Sequence, residues 1–195
     1  MKRIFLALVL LCTISFVQAQ DIPFIDVGIR GGVNLGSFRD LPDGESNDGM
    51  RTGFTAGAFA RVKIPLVGLF VQPEIMYTQG GGKSDSVERK VTSIDIPVLI
   101  GYNLSLGPIG GRLGLGPVFS NVLSSEKKEV GTNDFVDVKE LTNTSLWSAQ
   151  FGVGVDISKL AIDLRYQLGL TRVFKDFSDS PYLNSIQLTV GYKFL

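Results

Sequence analysis

Ten charged residues stand at alternate positions within segments that are otherwise largely apolar or small. The cations are Arg30, Arg61, Lys63, Arg112, Arg165 and Lys193, and the carboxylates are Glu74, Asp95, Asp156 and Asp163. Paired carboxylates can serve acid–base hydrolysis, but the positions of Asp156 and Asp163 near a turn favour no glycosidase arrangement over a solvated pair. The chain has no His, and its one Cys is Cys12 in the N-terminal apolar run. Ser-His hydrolases and thiol nucleophiles are therefore excluded in their usual forms. The stretch GGGKS, Gly80 to Ser84, has Tyr77 where a phosphate-binding loop needs Gly, and no helix pattern follows, so it reads as the start of a loop. The acidic stretch DLPDGESND, Asp40 to Asp48, has Phe54 where a calcium loop counted from Asp43 would close on Glu, and a solvated surface loop is expected. The residue types thus predict no catalytic, metal or cofactor site.

The charged residues must instead be explained by what carries them. Residues 1–19 read as a secretory signal peptide: Lys2 and Arg3 start it, Ile4 to Val17 form its apolar run, and Val17-Gln18-Ala19 supplies a small-residue cleavage site. The run is shorter than the ~20 apolar residues a spanning helix needs, and Thr13 and Ser15 interrupt it. Removing the signal takes Cys12 with it, so no disulfide framework is expected despite export. It also removes two of the 19 basic residues, leaving 17 against 19 acidic, far from the basic footprint of a nucleic-acid binder. Residues 20–195 contain no linker-like or low-complexity stretch and read as one domain.

Within that domain, apolar residues alternate with polar or small ones about eight times, and no long helical periodicity appears. The pattern predicts strands over 27–36, 53–64, 69–79, 93–103, 111–121, 147–156, 160–171 and 185–194. Phe59, Phe70, Met76 and Val118 break the pattern in the second, third and fifth strands by falling on the polar face. Short connections alternate with long polar ones at 37–51, 80–91, 124–144 and 174–183. Eight strands of about ten residues, with short turns at one rim and long loops at the other, predict an all-β fold: an eight-stranded, antiparallel, up-and-down transmembrane β-barrel.

A soluble barrel would bury the apolar face and turn many glycines to water for no gain. Turning the polar face to lipid would instead cost ~2–4 kcal/mol for each basic residue near the midplane. The apolar face therefore meets lipid, and the ten charged residues point into a narrow lumen. The aromatic residues agree with this orientation: Tyr77 and Trp147 fall at the loop ends of their strands, and Tyr102, Tyr192 and Phe194 toward the turn ends, as two interfacial girdles require. These features place the protein in a bacterial outer membrane, with outer-membrane lipid as its first partner and nucleic acid as none.

Residues 20–195 also resemble the PorT-like outer-membrane β-barrels common in the Bacteroidetes. The resemblance rests on GIRGGVN in the first strand, PEIMYTQGGGK in the third, IDIPVLIGYNL in the fourth, LGLGPVF in the fifth, LRYQLGLTRV in the seventh and IQLTVGYKF in the last. It implies the barrel fold, and it implies that the terminal aromatic Phe194 is part of the signal read by the barrel assembly machinery. Here Leu195 follows that aromatic, a departure from the common ending. The namesake of the family is associated with protein secretion across the outer membrane, but the family is broad and most members have no assigned activity.

The functional expectation is a non-enzymatic barrel with a plugged polar lumen, whose four long loops present a surface to a protein partner. The alternatives are an accessory factor of secretion and a narrow porin-like channel. Charges in so small a lumen must find partners, and mid-strand positions predict Glu74 with Arg165, or Asp95 with Arg30. The last strand is expected to pair with the first, closing the sheet.

Overall fold

The computed structural model describes residues 24–39, 49–64, 67–84, 87–106, 109–129, 136–137, 143–173 and 181–194. The proposed signal peptide, the acidic stretch 40–48 and Leu195 lie outside the described residues. Among the described residues there is no helix. The strands are β1 (Ile25–Arg39), β2 (Gly49–Lys63), β3 (Leu69–Ser84), β4 (Val87–Leu106), β5 (Ile109–Glu129), the short β6 (Val136–Asp137), β7 (Ser145–Ile157), β8 (Leu160–Gly169) and β9 (Tyr182–Lys193).

All strand pairings are antiparallel between neighbours, with β6 lying only against the far end of β5. Strand β9 pairs with β1 from Gly28↔Lys193 to Arg39↔Tyr182, closing the eight remaining strands into a barrel. Closure satisfies every strand edge within the bilayer, where water cannot.

The stagger of this barrel decides which lumen residues meet. From Ile25 the cross-strand partners run Val62, Val71, Ile100, Leu115, Phe151, Tyr166, Ile186 and back to β1 at Leu35, ten residues from the start. With a rise of about 3.3 Å per residue and about 4.7 Å between strands, that stagger tilts the strands by about 40° and gives a backbone radius of about 8 Å. A cross-strand row therefore climbs about 3 Å toward the loop end at each strand, and inward side chains from opposite walls meet at the axis.

Alternation places the two faces as the sequence predicts. Ile29, Ile75, Leu115, Phe151, Leu164 and Val190 are exposed on the outer face, Leu115 to 68%. Arg30, Arg61, Glu74, Arg112, Gln150, Arg165 and Gln187 are buried inside. The four residues that break the pattern, Phe59, Phe70, Met76 and Val118, are buried at the lumen positions of their strands, so the register holds and the lumen itself is partly apolar.

At the turn rim β7 and β8 are joined tightly. Ile157 pairs with Leu160, and Ser158 takes a φ of 53°, the left-handed geometry of a two-residue hairpin. The loop rim differs from expectation. The segment 80–91 is not a long loop: β3 and β4 continue as a paired ladder to Ser84↔Val87, with GGGKS inside β3. Residues 37–39, 49–51, 124–129 and 182–183 also belong to strands. Beyond the bilayer the outer face of a strand meets water in place of lipid, so alternation fades there while backbone pairing continues.

Candidate functional site

Seven of the eight barrel strands contribute to one continuous lumen network, with β4 as the exception. Near the turn rim, Asp26 accepts from Lys63 Nζ at 2.7 Å and lies 3.2 Å from Arg61 Nη1. Arg61 Nη1 is 2.9 Å from Asp156, which also takes Arg112 Nη1 at 2.6 Å and Lys193 Nζ at 3.5 Å. Arg112 Nη2 then reaches Asp163 at 2.9 Å and links this layer to the next. There Arg30 lies between Asp163 at 3.1 Å and Glu74 at 3.3 Å. Arg165 donates from both Nη atoms to Glu74, at 2.8 and 2.9 Å. Gln72 joins the layers as well, accepting from Arg61 Nε and donating to Glu74.

Six cations face four carboxylates in this network, and ring faces take up part of the excess. The Arg30 guanidinium stands 4.6 Å from the centroid of Phe59, and Arg61 lies 5.6 Å from Phe59 and 5.4 Å from Phe70. Arg30 contacts both its carboxylates without aligning an N–H on either, so charge and the ring hold it more than directed hydrogen bonds do.

Small residues on β7, directly across from these side chains, make the room. A Cβ at Gly154 would lie 2.5 Å from Arg112 Nη2 and 2.6 Å from Asp163 Oδ1, and one at Gly152 would lie 2.7 Å from Arg165 Cγ. The space left among Phe70, Gln72, Arg112 and Arg165 is about 10 Å³, room for about one water. At this level the lumen is filled.

The expected Glu74–Arg165 contact is present. The alternative, Asp95 with Arg30, is absent, and the tilt explains why. Arg30, Gly57, Met76 and Asp95 form one cross-strand row, so Asp95 stands about 9 Å nearer the loop rim than Arg30. Glu74, two residues back along β3 from Met76, falls within about 1 Å of the height of Arg30. Asp95 instead accepts from Ser93 Oγ at 2.8 Å and from the hydroxyls of Thr78 and Ser120. Asp156 and Asp163 are not a solvated pair: both are buried and Arg112 bridges them.

Asp26 falls one residue before the strand that alternation predicts from Val27, although β1 starts at Ile25 and Asp26 is in phase with Gly28 and Arg30. Gln72 and the two lumen phenylalanines carried no charge signal. The aromatic residues expected at the interfaces, Tyr77, Tyr102, Trp147, Tyr192 and Phe194, are all exposed on the outer face. Phe119 packs on Trp147 and Phe54 on Tyr77 toward the loop rim, with ring centroids 5.2 and 5.7 Å apart. Tyr192 packs on Phe194 at the turn rim, at 5.7 Å.

A family described as outer membrane protein beta-barrel domain matches residues 18–175. Among solved structures, Neisserial surface protein A is 16% identical, with 86% of this chain and 97% of that one covered at a TM-score of 0.49. Ail, the attachment invasion locus protein of Yersinia pestis, is 16% identical, with 88% and 99% covered at 0.46; its structure holds the heparin analogue sucrose octasulfate. The outer membrane enzyme PagL is 12% identical, with 86% and 98% covered at 0.47. No curated protein matches the chain.

Proposed function

The chain belongs to the outer membrane protein beta-barrel domain family, and from that premise we propose that it is a non-enzymatic barrel that presents its loop-side rim to a protein partner. The observation that carries the proposal is the lumen network. It connects seven strands around a bore of about 8 Å backbone radius, so the barrel interior works as a rigid core and recognition falls to the outside. The lack of His throughout the chain and the position of its one Cys in the proposed signal favour a non-catalytic role. The lengths of β3, β4 and β5, 16, 20 and 21 residues, also favour a recognition surface. A transmembrane strand needs about 9–11 residues, so these three form a paired wall standing beyond the loop rim.

A PorT-like accessory role in secretion is the second reading, favoured by the same wall, which offers hydrogen-bonding strands outside the membrane. A narrow channel would have to break the network. In planar bilayers the purified barrel is expected to give no stable open conductance. A stable conductance that disappears when Arg30 or Asp163 is replaced would overturn the plugged reading. Photo-crosslinkers on the β4–β5 wall in intact cells are expected to capture one reproducible protein. Identification of a secretion component selects the second reading, and capture of none removes both recognition roles.

A further inference from the structure

Above the ionic network the lumen is not filled. A cavity of about 40 Å³ lies between it and the loop rim, lined by hydroxyls and glycines and by two buried acceptors, Asp95 and Asn34. We propose that this chamber binds a small monovalent cation, held by the Asp95 carboxylate and the Asn34 side-chain carbonyl.

Charge comes first. Asp95 is 4% exposed, and no cation interacts with it among the described residues. Its hydrogen-bond partners are the hydroxyls of Ser93, Thr78 and Ser120. A buried carboxylate without a counter-charge is costly, and the guanidinium groups beneath are engaged with Glu74, Asp156 and Asp163.

The second acceptor is independent of the first. Asn34, 2% exposed, donates its Nδ2 to Gln79 O at 3.3 Å, and its Oδ1 has no partner. It lies four residues beyond Arg30 on β1, which puts it about 10 Å nearer the loop rim, level with Asp95 on the opposite climb of the barrel. The chamber thus holds a buried carboxyl without a counter-charge and an amide oxygen without a partner.

Size and charge select the occupant. About 40 Å³ accommodates three or four water-sized groups, room for an ion with two or three waters. A single carboxylate balances one positive charge, whereas calcium sites draw on several carboxylates and six to eight oxygens. The chamber is roofed toward the loops by Val91, Val122 and Leu146, and Leu183 joins that cluster to Phe38 and Val173.

The test uses the purified barrel folded in detergent. Urea midpoints are measured in sodium, potassium and choline chloride at equal ionic strength, with sodium-23 line widths as a direct reading of binding. The midpoint is expected to rise with sodium or potassium concentration above the choline value. Asp95→Asn and Asn34→Val are each expected to abolish that difference, and Asn34→Val carries the test alone if Asp95→Asn fails to fold. Equal midpoints in all three salts for the native chain would show a chamber holding water only and overturn the proposal. A difference that survives Asn34→Val would move the effect to the protein surface and overturn it equally.

Discussion

Replacing Glu74 with Leu removes the acceptor of two charge-assisted hydrogen bonds from Arg165 and an ion-pair contact with Arg30. Hydrogen bonds to charged groups contribute about 1.5–3 kcal/mol each, and breaking a buried pair from one side costs about 3–5 kcal/mol. Arg165 keeps Gln150 at 3.3 Å and Asp163 at 3.6 Å, so about 3 kcal/mol, the lower end, is the expected loss for Glu74→Leu. Arg165→Met takes the bidentate partner from the carboxylate, which keeps Arg30 at 3.3 Å and the Gln72 amide, and is expected to cost a similar amount, about 3 kcal/mol. The double variant exchanges the pair for apolar volume, and its total is expected near 3–4 kcal/mol, a coupling of about 2–3 kcal/mol. The assay is reversible urea unfolding from lipid vesicles followed by the fluorescence of Trp147, the single Trp of the chain. Additivity of the two single losses within about 0.5 kcal/mol would refute the claim that Glu74 and Arg165 act on each other inside the lumen.

Two further outcomes follow from the geometry. Gly154→Ala drives a methyl against Arg112 and Asp163 and is expected to cost about 1–3 kcal/mol; Gly111→Ala, with nothing within 4 Å of its Cβ, is expected to stay within about 0.5 kcal/mol, and equal unfolding midpoints would contradict the glycine-socket account. Phe194 packs on Tyr192 and donates its backbone N–H to Val27 O at 2.8 Å, so Phe194→Ala is expected to lower the yield of folded barrel, read by heat-modifiable gel mobility, more than deletion of Leu195 does; the reverse ranking would remove Phe194 from its role in assembly.

Much of the fold was legible in the chain because lipid is a one-sided solvent. A strand with lipid on one face and a polar lumen on the other has to alternate, and the last strand, from Ser185 to Phe194, alternates throughout. Where that asymmetry ends, legibility ends too. Lys90 and Glu126 pair at 3.3 Å on strands that continue past the bilayer, yet residues 80–91 and 124–144 read as loops because the outer face there no longer meets lipid and loses its apolar residues. Phe59 and Phe70 looked like irregularities for a different reason. Alternation reports the average polarity of the lumen, and cannot show that an arginine packs there on an aromatic ring.

The sequence by itself determined a closed eight-stranded barrel, the outward apolar face and the set of strands that put charge inside. Each of these follows from residue type and a two-residue period. The tertiary structure alone decided which charges meet. Arg165 and Glu74 are 91 positions apart and Arg61 and Asp156 are 95 apart. Their heights depend on a ten-residue stagger accumulated around the whole sheet. No local pattern encodes that stagger, and it carried Asp95 about 9 Å above Arg30 to the wall of an oxygen-lined chamber.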